Sequence, residues 1–241
     1  METVRLIPEK YRFLSNSGLK LLAVTAMLLD HTAHCFLQND PTVLLSLFGK
    51  SITLYKALRI VGRLAFPLFA FLLVEGFVHT RDRKKYGLRL LIFALISEIP
   101  WNLMLNGTLF YEKQNVLFTL LLGYAGLCVT DALQNGGDRT RNLALLFALF
   151  LCSFFLRSDY GYLGFGFILL LYLLRDFPVI RALIGACILP GRWTAGLAFV
   201  PIAFYNGRRG FIRSRALGLL FYAIYPLHML ILYLIKRYAV I

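Results

Sequence analysis

Apolar residues run in long blocks separated by short, mostly basic segments, and this alternation sets the first expectation. Blocks near 19–38, 57–79, 86–105, 115–134, 142–157, 160–175, 178–190, 192–206 and 215–236 read as membrane-crossing helices, since a span needs about 20 mostly apolar residues, fewer if neighbours shield it. Nine spans is the central reading, with eight to ten the range, because Pro190 and Gly191 divide 178–190 from 192–206 and allow one broken or re-entrant helix there. The segment 41–56 reads as a short interfacial helix. The expected fold is therefore an all-α polytopic bundle in a multi-pass membrane protein. With no internal repeat and no low-complexity linker, residues 1–241 are expected to form a single domain.

Composition agrees with the pattern. Of 241 residues, 59% are hydrophobic and only 16% charged, and mean hydropathy is +0.70; a soluble domain is about half apolar and about a quarter charged. The net charge of +14 then reads as loop bias toward the cytoplasm, not as a nucleic-acid footprint, because no aromatic-interleaved basic stripe lies outside the spans. The basic segments 80–89, 136–142, 175–181 and 206–215 all fall on one side if the N-terminus is cytoplasmic. Cys35, Cys128, Cys152 and Cys187 lie inside apolar blocks with no metal-ligand spacing, so neither disulfides nor a metal are expected. No cleavable signal is read at the N-terminus, whose first apolar run has no small-residue cleavage site behind it.

The run "LKLLAVTAMLLDHTAHC" (19–35) carries Lys20, Asp30, His31 and His34 in an otherwise apolar span. Ionisable groups at bilayer depth are costly and usually face a polar interior. Lys20 and His31 are 11 residues apart, close to three turns, so they share a face about 16 Å apart along the axis. A cation at the cytoplasmic mouth and a histidine deep on the same stripe suit a path entered by an anion, with the histidine placed for proton transfer. The bland alternative is that Asp30, His31 and His34 only tie helices together. Asp30 shares a face with His34, four residues on.

These residues resemble a known pattern. Lys20 followed by ten residues and His31 resembles the (Arg/Lys)-x10-His signature of the transmembrane acyltransferase family 3, as do "RLAFPLFAFLLVEGF" (63–77) and "FYAIYPLHMLILYL" (221–234). More of the chain is similar to the TraX family, through "LKLLAVTAMLLDH", "LRIVGRLAFPLFAFLLVEGFVHT", "YGLRLLIFALISEIPWNL", "NVLFTLLLGY", "DYGYLGF" and "FYAIYPLH" in order. The resemblance implies a multi-pass protein of the cell (inner) membrane that takes an acetyl group from cytoplasmic acetyl-CoA. The acceptor it implies is an amine at a pilin or other protein N-terminus, or an amine or hydroxyl of a cell-surface glycan. The family 3 Arg-x-x-Arg pair is matched only by the differently spaced Lys85 and Arg89.

On this reading His31 is the catalytic base, or a nucleophile forming an acetyl-imidazole, with Asp30 beside it. Lys20, Arg59, Arg63, Lys85, Arg89, Arg208 and Arg209 are the candidate donor-binding cations, supplemented by Arg81, Arg83 and Lys84 in the same basic segment. Glu75, Glu98, Asn115, Asp159, Tyr225 and His228 are candidates for the substrate cavity. Asn102 or Asn115 would donate to a thioester carbonyl, Arg63 would pair with Glu98 or Asp159, and His228 would orient an acceptor or bond Tyr222. Two rivals stand beside this: a transporter or flippase, which would often carry internal repeats, and a membrane scaffold whose polar residues are only helix glue.

Overall fold

The computed structural model describes residues 7–47, 50–188 and 193–239. Among them the chain is α-helical apart from one hairpin, in the order α1 (Asn16–Phe36), β1 (Val43–Leu47), β2 (Lys50–Thr53), α2 (Leu54–Gly62), α3 (Ala65–His79), α4 (Arg83–Asn106), α5 (Val116–Gln134), α6 (Arg139–Phe155), α7 (Gly161–Leu173), α8 (Pro178–Ile188), α9 (Phe199–Ala203) and α10 (Arg215–Tyr238). Short 3-10 turns occupy Glu9–Tyr11 and Trp193–Ala198.

Helix starts follow local chemistry. Ser15, Thr53, Asp82, Asn115, Asp138 and Ser214 each accept a hydrogen bond from a first-turn amide of the helix they precede, satisfying donors that the helix cannot. Asp82, which lies outside the spans, is held below the usual carboxylate range by hydrogen bonds from the Lys85 side chain and amide.

Helix α3 lies at the centre. Phe66, Leu68, Phe71, Leu73, Val74 and Phe77 on it are all buried, the signature of a helix packed on every side. It packs on α1, α5 and α7, while α4 packs between α5 and α10. The periphery is reversed: on α6 only Asn142 and Ser153 are buried, while Leu143, Phe147, Phe154 and Phe155 face outward. Leu88, Leu95, Ile96 and Ile99 of α4 and Leu220, Leu227 and Ile231 of α10 are likewise exposed. So large a contiguous apolar exterior fits lipid, not water.

Four helical segments are long and apolar enough to cross a membrane: Leu54–His79, Arg83–Asn106, Val116–Gln134 and Ala216–Tyr238. The nine-span count is finer than this. Helices α7 and α8, at 13 and 11 residues, fall short of a bilayer by themselves. The span expected over 192–206 is a 3-10 turn followed by the five-residue α9. The expected break at Pro190 and Gly191 lies outside the described residues.

One expectation is corrected and another is refined. The interfacial helix expected at 41–56 is instead an antiparallel hairpin, Val43 opposite Thr53 and Ser46 opposite Ser51, followed by the start of α2. β-branched Val43, Ile52 and Thr53 favour extended backbone. The span expected over 57–79 lies inside the apolar segment Leu54–His79, which is broken between α2 and α3. Pro67, in the first turn of α3, has no N–H for the Arg63 carbonyl, so the ladder of α2 stops at Gly62.

Candidate functional site

Residues 12–18 and 204–212 lie side by side, and this pairing builds one end of the site. Leu14 N–H donates to the Phe204 carbonyl at 3.0 Å, Asn206 N–H returns a bond to Leu14 at 2.9 Å, and Asn16 and Ser17 amides donate to the Arg208 and Arg209 carbonyls. The Ser17 hydroxyl donates to the Arg209 carbonyl at 2.7 Å and accepts from Ile212 N–H at 2.9 Å. Gly210 adopts a positive φ of 80°, and a Cβ there would collide with the Ser15 and Ser17 side chains. Glycine is therefore required twice over. The result sets Arg209 close to Lys20.

From this end a cleft of about 680 Å³ runs into the molecule. Helix α1 lines it with Asn16, Lys20, Val24, Met27, Asp30 and His31, a single stripe at helical spacing. Lys20 and His31 thus share the cleft face, as their 11-residue separation implies. Arg81, Arg89 and Arg209 line the cleft with Lys20. Among the described residues none of these four cations belongs to an ion pair, whereas neighbouring Lys85 and Arg83 pair with Asp82 and Asp131. Asp30, Glu75 and Asp159 also line the cleft, Asp30 being held by Arg59, and the four cations outside any such ion pair give it a basic character suited to an anion.

At the inner end the His31 ring is fixed by His228 of α10. His31 Nδ1 and His228 Nε2 are 2.6 Å apart, and His228 Nδ1 is 2.8 Å from the Ile224 carbonyl. The rings are within 10° of parallel with centroids 4.9 Å apart. That separation is close to the nitrogen–nitrogen distance plus two ring radii, so the hydrogen bond runs in a common plane and the rings do not lie face to face. A carbonyl can only accept, so His228 donates from Nδ1 and accepts at Nε2. His31 then donates from Nδ1, and its Nε2 holds the free lone pair. Trp101 and Tyr225 wall the ring, each with centroid 6.4 Å away. Trp101 is itself tied by its indole N–H to the Lys113 carbonyl at 2.9 Å.

Asp30 is directed to a neighbouring helix. It accepts from the Arg59 guanidinium of α2 at 2.5 Å, and Gly62 lets α2 approach, since a Cβ at Gly62 would overlap the Asp30 carboxylate. His34, four residues on from Asp30, is hydrogen-bonded to Gln38, a further four residues on.

The sequence candidates therefore sort clearly. Lys20, Asp30, His31, Glu75, Arg89, Asp159, Arg209 and Tyr225 line the cleft. Arg59 does not line it, because it is bound to Asp30. Lys85 pairs with Asp82 at 2.8 Å on the surface; Arg63 and Arg208 are also off the cleft, the first ending α2 and the second offering its backbone carbonyl to Asn16. Glu98 holds the Asn115 amide at 2.5 Å in place of Arg63, and Asn115 is spent on that bond, on the Ala94 carbonyl and on capping α5. Asn102 donates to the Leu109 carbonyl. His228 lies behind His31, bonded to it and not to Tyr222. Tyr160, next to the candidate Asp159, also lines the cleft, as do Trp101 and Tyr86, which the sequence reading did not single out; Trp101 directly follows Pro100 in a matching run, the one local signal available.

The fold and site define a helical membrane protein with a basic cleft leading to a half-buried, oriented histidine. A family model described as TraX protein matches residues 15–236, and the chain belongs to the TraX family. It is also 32% identical over 245 residues to a probable fimbrial assembly protein FimC, serogroup H1, of Dichelobacter nodosus, covering 89% of this chain and 92% of that one. No solved structure matches.

Proposed function

We propose that the protein is a membrane-embedded acetyltransferase, similar in mechanism to acyltransferase family 3, of the cell (inner) membrane. It takes an acetyl group from acetyl-CoA on the cytoplasmic side, where the N-terminus also lies. The acceptor is an amine at a protein N-terminus, with a fimbrial or pilin subunit favoured by the name of the Dichelobacter relative, or an amine or hydroxyl of a surface glycan. The single observation that carries this is the continuous α1 stripe from Lys20 to His31, in one cleft with Arg81, Arg89 and Arg209.

Coenzyme A brings several phosphate charges and a thin pantetheine arm. The cationic group at Lys20 and Arg209 holds the phosphates, arginine's planar fork matching their oxygens, and the arm runs along Val24 and Met27 toward His31. A neutral acceptor amine attacks the thioester carbonyl as His31 Nε2 removes its proton. A C–N bond forms, the C–S bond breaks, and His31 returns the proton to the departing thiolate. The His228 nitrogen shares the charge that His31 acquires.

Calorimetry with acetyl-CoA and purified protein in detergent tests the donor. Native protein is expected to bind in the micromolar to millimolar range, and Lys20→Gln to weaken binding by about tenfold, the loss of one charge-assisted contact. Failure of the native protein to bind would sink the donor assignment and favour a transporter or scaffold.

A further inference from the structure

A second cavity, of about 270 Å³, lies beside the cleft and is separated from it by Glu75, Tyr205 and Gly207, which line both. Three arginines from three separate stretches converge on it: Arg12 before α1, Arg175 after α7 and Arg181 in α8. The mechanism above uses none of them.

Each guanidinium is fixed in place. Arg175 lies over the Tyr172 ring at 4.4 Å and donates to the Tyr172 carbonyl at 3.1 Å. Arg181 lies over Phe71 at 5.2 Å. Arg12 has a side chain only 13% exposed and reaches Glu9 at 3.7 Å. Glu75 and Asp176 also line the cavity, Asp176 lying 3.8 Å from Arg175. These carboxylates leave a deficit, because the Nε atoms of Arg12 and Arg181 are both buried without a hydrogen-bond partner. A buried charged donor left unmet is costly, and native structures rarely leave two in one cavity. An anion with several acceptor oxygens would satisfy both.

The geometry points to a second anion site in this cavity, one that binds a phosphate group through Arg12 and Arg181 with Arg175 at its edge. Planar guanidinium forks converging from several directions suit the oxygens of a phosphate better than the two coplanar oxygens of a carboxylate. Two sources offer that chemistry: the phosphorylated nucleotide end of a coenzyme A donor, which rests on the reading above, and a phospholipid headgroup at the membrane surface, which does not.

Two measurements on native protein, Arg12→Gln and Arg181→Gln separate them. Calorimetry compares coenzyme A with its 3′-dephospho form; native mass spectrometry counts phospholipid retained from phosphatidylglycerol nanodiscs. If the nucleotide phosphate is the ligand, native protein prefers coenzyme A by about tenfold or more, and both substitutions abolish the preference. If the ligand is a headgroup, native protein retains a lipid that both variants lose, and the coenzyme comparison is flat. Native protein that binds no coenzyme A would remove the donor reading yet leave the lipid arm to decide. Variants indistinguishable from native protein in both arms would overturn the site. Should either variant fail to give a monodisperse protein, Arg175→Gln, whose side chain is 35% exposed, replaces it in both arms with the same expected outcomes.

Discussion

A histidine in a cleft serves as a base only when one ring nitrogen is reserved for the reacting proton. Here the chain of bonds begins at the Ile224 carbonyl, passes through His228 and ends at His31, leaving the Nε2 lone pair of His31 free to accept a proton. On the proposed mechanism His228 acts through His31, as a positioning residue. Replacing it by Leu should lower kcat by about 10- to 100-fold, as when the outer partner of an oriented histidine is removed, with the KM for acetyl-CoA unchanged. His228→Gln, whose amide oxygen can accept the Nδ1 proton, should recover part of the loss. Equal defects in the Leu and Gln variants, or a rise in KM alone, would contradict the positioning role. The pairing was not legible in the sequence: the two histidines are 197 residues apart, and no local period connects them. Lys20 and His31 were legible because both ride one helix, where 11 residues fix the angle between them.

At the scale of elements, the cleft depends on α1 and α2 lying close together. Gly62 makes room for Asp30, and the Asp30–Arg59 ion pair then bridges the helices at 2.5 Å. A methyl group at Gly62 must push α2 off α1. Gly62→Ala is therefore expected to destabilise the protein by about 1–3 kcal/mol, the usual cost of overpacking, and to lower turnover by displacing the loop side of the cleft. A thermal midpoint in detergent equal to that of native protein would show that the contact is not tight. Asp30 and Arg59 were each visible as ionisable residues in apolar runs, but their partnership needed the glycine and the break at Pro67 to bring α2 across. The hairpin at 43–53 escaped for another reason. Its short run of Val, Leu, Ser and Thr suits a strand or a helix turn about equally, and pairing with the next segment decides between them.

For the whole molecule, the exterior is apolar where α4, α6 and α10 face outward, and polar atoms are turned inward. Such an inside-out arrangement lets one continuous cleft carry charge through a chain otherwise suited to lipid. The basic candidates differ in their surroundings: Arg83 and Lys85 are neutralised in place by Asp131 and Asp82, whereas Lys20, Arg89 and Arg209 face the cleft with no ion partner among the described residues. Sequence reading singled out Lys20 by its face but could not separate the arginines and Lys85, because their acid partners are revealed only by packing. The most direct test of the account is acetyl-CoA consumption by purified protein, native against His31→Ala, with donor binding followed in parallel. The expected result is slow turnover by native protein and a loss of about 10²- to 10⁴-fold in the variant, the range for removing a general base, with acetyl-CoA bound equally by both. A His31→Ala protein that binds the donor and still turns it over at the native rate would contradict the assignment of His31 as the base.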